Sequence, residues 1–366
     1  MSEEDALRIL QTFDDTLGSC LSYPSNSATD FGFLDERLLS IVNEQSTIPG
    51  TSDAFLHLGF ERSARERPLV TALDFLYSNG ERVTWTFEKL NNMSNRITRI
   101  LRENGVCEGE AILICMNKCP LFYASILGVL KAGAAFTPID PQSPGNHKES
   151  VVEESQACIL LSNSTADTNW CALKTIILGE ENLLHTKLKD SPPMEELSHS
   201  SIAFRLYLSG TSTIRLQGEI LTRTVGSAGE LKVVSMEHQN AVQTIEHLRN
   251  ILPWTSETRL LQYAVTDFHM CYFDCFLAWS FGFCFCSATQ SSLLNDLVLT
   301  INNMGVNMLH LTPTVASSLS KSSVPSVQYI YCTGEPIPQQ LAENWAGRII
   351  NSYGSIGKIE PPRFAT

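Results

Sequence analysis

The chain is short of positive charge. Of its 366 residues, 26 are Lys or Arg against 39 Asp or Glu, and the formal net charge is −13. Nucleic acid would repel such a surface, which argues against it as a partner. Long apolar runs are missing as well. The longest, residues 276–288, holds Ser280 and Gly282 and falls short of the roughly 20 residues that a membrane-spanning helix needs. The start, Met1-Ser2-Glu3-Glu4-Asp5, is acidic where a secretion signal is basic. Cysteines at zinc-site spacing are absent too. Cys115/Cys119 and Cys271/Cys275 have helical i,i+4 spacing, but neither has a second pair beside it, so the spacing points to no metal site. The 11 cysteines, an odd number set in apolar runs, read as buried free thiols in a reducing compartment. These absences lead to the expectation of a soluble cytoplasmic protein that binds neither membrane nor nucleic acid.

Hydrophobic residues make up 43% of the chain and charged residues 18%, enough for a sizeable core. Residues 1–50 are polar and read as a linker, with a short helix at 31–42. Residues 51–366 read as one α/β unit. A helix ending near Arg67-Pro68 leads to a strand at 69–76, a turn at Ser78-Asn79-Gly80 and a return strand at 83–86. Leu90, Met93, Ile97, Ile100 and Leu101 share one helical face, closed by Asn104-Gly105. Residues 111–116 form a buried strand, 121–131 a helix closed by Gly133, and 136–139 a strand running into a proline-rich turn. Strands follow at 158–162 and 175–178. Beyond residue 238 come a helix at 240–250, a strand at 260–264 and an apolar helix or strand–helix join at 268–281. The last stretch reads as a helix at 295–304, a strand at 308–312, a short helix at 314–319, a strand at 327–333, a helix at 338–345 and a strand at 348–351. This alternation predicts a largely parallel sheet.

One stretch carries chemistry. It opens as Tyr207-Leu208-Ser209-Gly210-Thr211-Ser212 and closes as Gly229-Glu230-Leu231-Lys232, with His238 six residues on. Hydroxyls, bare backbone N–H groups and an ammonium are what a polyphosphate needs, and glycine lets the backbone approach its oxygens. By turn chemistry alone, Ser-Gly-Thr-Ser is a plain turn.

Taken together, the two halves resemble the phosphate-binding loop of adenylate-forming enzymes, usually Tyr-Thr-Ser-Gly-Thr-Thr-Gly-x-Pro-Lys-Gly-Val followed by a His. In that register residues 213–228 are an insertion, Gly229 falls on the second glycine, Leu231 replaces the proline and Val233 the glycine after the lysine. The interrupted motif rejoins in frame, as it would around a retained intron. Leu127-Gly128-Val129-Leu130-Lys131-Ala132-Gly133-Ala134-Ala135-Phe136-Thr137-Pro138-Ile139-Asp140-Pro141 is similar to the Leu-Lys-Ala-Gly-Ala-Ala-Tyr-Val-Pro-Ile-Asp-Pro signature of nonribosomal peptide synthetase adenylation domains. Val83-Thr84-Trp85 resembles the family's Leu-Thr-Tyr, Gln262 to Phe276 its Gln-Phe-Ala-x-x-Ser-Phe-Asp segment, and Leu311-Thr312-Pro313-Thr314 a pocket-lining segment. Thr333-Gly334-Glu335 and Asn351-Ser352-Tyr353-Gly354 resemble Gly-Gly-Glu and Asn-x-Tyr-Gly. The likeness runs from about residue 55 to 357 and is nearest to fungal siderophore synthetases.

The resemblance implies an α/β fold, the large N-terminal subdomain of an acyl-adenylate synthetase, without the C-terminal subdomain and its catalytic lysine. It implies adenylation of an amino acid or another carboxylic acid with ATP and Mg²⁺, in secondary metabolism, with carrier-protein and condensation modules as partners outside this chain. Ser209, Gly210, Thr211, Ser212, Gly229 and Lys232 would hold the phosphates. Gly334, Glu335, Asn351, Tyr353 and Gly354 would meet the adenine, and His238 would lie near the acyl group. Thr312 and His269 would line the acyl pocket, His269 standing where the family has an aspartate for the substrate α-amino group. The family's Mg²⁺ glutamate falls on Gly357, which has no side-chain donor. Two other readings stay open: a non-catalytic fragment that binds nucleotide or a partner, and an acyl-CoA-ligase-like enzyme acting on a plain carboxylic acid.

Overall fold

The computed structural model of the chain describes residues 55–165, 168–185, 198, 200–208, 232–249 and 251–351, with the backbone of 354–355, 358–359 and 363–364. They lie in one unit, Asp53–Thr366. The first half runs α1 (Leu58–Glu66), β1 (Thr71–Leu76), β2 (Arg82–Thr86), α2 (Phe87–Glu103), β3 (Ala111–Cys115), α3 (Pro120–Lys131), β4 (Ala135–Ile139), α4 (Gly145–Ser155) and β5 (Ile159–Ser162). Then come β6 (Lys174–Ile177), α5 (Glu180–Leu184), β7 (Ile202–Leu208), β8 (Lys232–Glu237), α6 (His238–Arg249), β9 (Arg259–Gln262), α7 (Met270–Phe281) and β10 (Cys284–Ala288). The last stretch is α8 (Gln290–Asn295), α9 (Leu297–Met304), β11 (Met308–Leu311), α10 (Pro313–Ala316), β12 (Tyr329–Cys332), α11 (Gln339–Asn344) and β13 (Ile349–Asn351). Three two-residue strands follow: β14 (Gly354–Ser355), β15 (Lys358–Ile359) and β16 (Arg363–Phe364).

Among the described residues the strands form two main sheets. One has eight strands in the order β16-β13-β12-β11-β9-β10-β1-β2, the other six in the order β6-β5-β3-β4-β7-β8. Neighbours are parallel except at the edges, where β2, β8 and β16 run antiparallel to β1, β7 and β13. The expected α/β fold with largely parallel sheets is the one found.

Beyond α5, β7 and β8, for which no element was expected, other stretches differ from the sequence expectations. Residues 268–281 left helix and strand–helix join open; the chain forms helix α7, and β10 follows it separately. Every residue of α7 is buried, so no apolar stripe gives the periodicity away. The stretch after the proline-rich turn forms α4, whose buried face is Lys148, Val151 and Ser155, too polar to read as amphipathic. The helix expected at 295–304 is α9, but an unforeseen short helix, α8, precedes it, and the Asp296 carboxylate accepts from Leu299 N at 3.0 Å and caps α9 afresh. The helix expected at 31–42 and the insertion at 213–228 lie outside the described residues.

α7 is the central piece. On one side Trp279 packs on Phe285 of β10 at 5.6 Å and donates its indole N–H to the Ala72 carbonyl of β1. On the other, Tyr272 packs on Phe136 of β4 and Phe204 of β7 at 4.9 and 5.3 Å. The helix thus joins the two sheets through its own side chains. α2 and α3 pack against each other beside it. The Gly128 position shows how closely: a Cβ there would stand 2.7 Å from Ile97 Cγ2 and 3.1 Å from the Ser94 carbonyl. The Thr98 hydroxyl donates to the Gly128 carbonyl at 2.9 Å across the same contact.

Lys131, three residues on, is buried, and its ammonium donates to Asn91 and Asn95 of α2 and pairs with Glu61 of α1 at 3.3 Å. Burial pulls its pKa down to about 8, against the pull of Glu61. The glycine and lysine of this motif therefore serve packing. Gly128→Ala should destabilise the fold by about 1–3 kcal/mol, the usual cost of overpacking. Equilibrium urea unfolding measures it, and an unchanged midpoint would contradict the close contact.

Candidate active site

Parallel sheets gather ligands at the carboxyl ends of their strands. The expected site residues meet that edge in order. His269 follows β9, Thr312 follows β11, Gly334 and Glu335 follow β12, and Asn351 ends β13. β9, β11, β12 and β13 are consecutive neighbours in the eight-stranded sheet, so residues scattered over the sequence share one rim. In the six-stranded sheet β7 ends at Leu208, and β8 returns antiparallel with Lys232 paired to Leu208. β7 and β8 thus form an antiparallel pair that holds the two ends flanking 209–231 one strand apart. Ser209, Gly210, Thr211, Ser212, Gly229, Tyr353 and Gly357 lie outside the described residues, and Lys232 and Gly354 are described in backbone only.

The carboxyl ends of the two sheets are tied together. Lys118, after β3, sends its ammonium to the Ala264 carbonyl beyond β9 at 2.6 Å. It is buried, and desolvation lowers its pKa. Asp267 lies on the same crossing. Burial and the nearby Asp140 charge after β4 push its pKa up to about 6. His269 is buried between Phe268 and Phe273, with ring centroids at 4.5 and 6.0 Å. Its Nδ1 has no hydrogen-bond partner among the described residues. Burial, with His310 adding to it, pulls the His269 pKa down to about 3, so the ring is neutral at physiological pH.

Beneath this rim runs a chain of three polar side chains. His310 of β11 places Nδ1 2.6 Å from Asp274 Oδ1 of α7 and Nε2 3.0 Å from Thr333 Oγ1. Asp274 is buried, its other oxygen has no partner among the described residues, and desolvation raises its pKa against the pull of His310. Glu335 reaches back to the β11 side, accepting from Thr314 N at 3.0 Å and from the Thr314 hydroxyl. Thr312 spends its hydroxyl on capping α10, accepting from Val315 N at 3.4 Å. His238 is fully buried at the start of α6, where its Nδ1 accepts from Leu56 N at 3.1 Å and its ring meets Phe55 edge-on. Lys118, Asp274 and His310 were not singled out in the sequence, and Thr333 was named only as the first residue of the Thr333-Gly334-Glu335 motif. Asp274 offered a signal: it is the one charge in the apolar run 268–281, and a buried charge needs a partner.

Residues 60–355 match a family described as AMP-binding enzyme. The chain belongs to that family. It is 37% identical over 354 residues to nonribosomal peptide synthetase 2 of Cochliobolus heterostrophus, which covers 97% of this chain and 6% of that protein. It is 38% identical over 343 residues to nonribosomal peptide synthetase Ao415 of Arthrobotrys oligospora, covering 91% of this chain and 9% of that one. The chain therefore spans less than a tenth of the length of these curated relatives. In fold it is similar to the N-terminal subdomain of Klebsiella oxytoca NpsA, with TM-score 0.68 at 19% identity over 84% of this chain and 76% of that one. It is similar also to VinN in complex with L-aspartate, with TM-score 0.68 at 17% identity over 84% and 78%. No helix among the described residues is long and apolar enough to cross a membrane.

The AMP-binding family implies ATP, generally with Mg²⁺. The described rim leaves room for a base at one point: Gly334 has φ +90°, and among the described residues no heavy atom beyond its chain neighbours lies within 4 Å of where its Cβ would stand. The metal position does not fit, since Gly357 brings no donor.

The titrations at the rim have opposite signs. His269 is held neutral in the fold, so acid favours the unfolded chain between pH 6.5 and about 3, and stability falls as pH drops. Asp267 has a raised folded pKa, so its contribution is complete below pH 3.8 and is lost as pH rises through about 6. Between pH 6 and 4, His269→Asn should reduce acid sensitivity by up to about 1.4 kcal/mol per pH unit, and Asp267→Asn should increase it by a similar amount. Unfolding free energies across that range measure both, and parallel curves for all three proteins would contradict the assignment.

Proposed function

We propose that the chain is the large subdomain of an amino-acid or acyl-adenylating unit of a cytoplasmic nonribosomal peptide synthetase, working on ATP. The observation that carries the reading is the Leu208↔Lys232 pairing. It keeps the feet of the phosphate loop in register whatever the length of 209–231. In this reading Ser209, Gly210, Thr211, Ser212, Gly229 and Lys232 hold the phosphates, stabilising the charge that builds as the substrate carboxylate attacks and pyrophosphate leaves. Gly334, Glu335, Asn351, Tyr353 and Gly354 form the adenine side. His238 acts from the core as a positioning residue, fixing Leu56 against the start of α6. Carrier-protein and condensation modules are the partners the reading requires.

The acyl pocket favours a carboxylic acid without a cationic α-amino group. His269, neutral and buried between two phenylalanines, cannot neutralise an ammonium as a carboxylate does.

Calorimetry with Mg·ATP tests nucleotide binding. Wild type should bind at sub-millimolar ATP, and Lys232→Ala should weaken binding at least tenfold, about 1.4 kcal/mol. Absence of heat at millimolar ATP would contradict the reading. A pyrophosphate-exchange panel tests the pocket: hydroxy or aryl acids should outpace α-amino acids, and the reverse order would refute the role given to His269.

A further inference from the structure

Away from the carboxyl-edge rim, between β1 and β10, lies a cluster that nucleotide chemistry does not use. Cys284 and Cys286 stand two apart on β10 and so share one face. Asp74 of β1 is the register partner of Cys286. One donor atom from each of the three lies within 4.8 Å of the others, and all three residues are buried.

We propose that Asp74, Cys284 and Cys286 form a three-ligand site for one Zn²⁺. The two sulfurs are 3.9 Å apart, and two thiolates on a tetrahedral zinc, with Zn–S about 2.3 Å, stand about 3.8 Å apart. That spacing suits a shared metal, whereas a disulfide needs Cβ atoms about 3.8 Å apart, which two same-face residues of one strand do not offer. The surrounding shell is already built. Arg82 grips the Asp74 carboxylate with Nε and Nη2, and Arg259 Nη2 grips the same carboxylate. Arg259 Nη1 points to Cys284 Sγ at 3.4 Å. These donors fix the orientation of a ligating carboxylate and thiolate, and a carboxylate with three of its four lone-pair sites used keeps one for a metal.

Charge is conserved as well. Binding breaks two S–H bonds, forms two Zn–S bonds and releases two protons to solvent. The cluster keeps its net charge, so no new charge is buried. A water or an exogenous ligand takes the fourth position. Zinc here would pin β1 to β10 on the face covered by α9, where Arg259 Nε also holds the Met304 carbonyl.

Cobalt substitution on the reduced, chelator-stripped full chain tests the site. One Co²⁺ per chain should bind with a thiolate-to-metal charge-transfer band and release two protons. Cys284→Ser and Cys286→Ser should each reduce the band by about half or more. The exposed pair Cys107→Ser/Cys158→Ser should leave it intact. X-ray absorption on zinc-loaded wild type needs no variant to fold, and it should find two sulfurs at about 2.3 Å with oxygen or nitrogen completing the shell. A band undiminished in Cys286→Ser, a four-sulfur shell, or no binding at one equivalent would overturn the proposal.

Discussion

Everything in this fold depends on a helix with no solvent face. α7 sits between two sheets with all of its residues buried. A helix apolar on every side is stable only where every side has a partner. The eight-stranded sheet supplies one wall through Phe285 and Ala72, and the six-stranded sheet the other through Phe136 and Phe204. Once both walls are fixed on one helix, their carboxyl ends are fixed relative to each other. The shared carboxyl edge is a consequence of that packing.

The same constraint explains the polar groups at the helix's top. Asp274 is carried into the core by α7, where an isolated carboxylate is costly. His310 meets it from β11 and passes the contact to Thr333, at the start of the Gly334–Glu335 rim. Lys118 does similar work between the sheets, using backbone carbonyls. Site geometry and core packing are here one network, so substitutions in it should alter both.

The sequence made the frame legible where periodicity and capping agree. α2 shows an apolar stripe, and Thr86 accepts from Lys89 N at 3.1 Å to start it. Gly128 and Lys131 were visible as a motif, but their reason, a close helix crossing and a buried ammonium, needs α1 and α2 in place. α7 hid its class because its burial is uniform. Of the rim, His269, Thr312, Gly334, Glu335 and Asn351 were found through resemblance. Lys118 and His310 were not, because their partners lie 146 and 36 positions away. The Asp74–Cys284–Cys286 cluster was invisible for the same reason: only strand register brings the aspartate to the thiols.

The most direct measurement is hydrogen–deuterium exchange of the chain with and without a non-hydrolysable acyl-sulfamoyl adenosine. The account predicts slowed exchange in three separate stretches, 209–232, 264–269 and 333–335, with the amino-terminal ends of β1 and β10 unchanged. Protection confined to other surfaces, or none at saturating ligand, would contradict the claim that the shared carboxyl edge of the two sheets is the adenylate site.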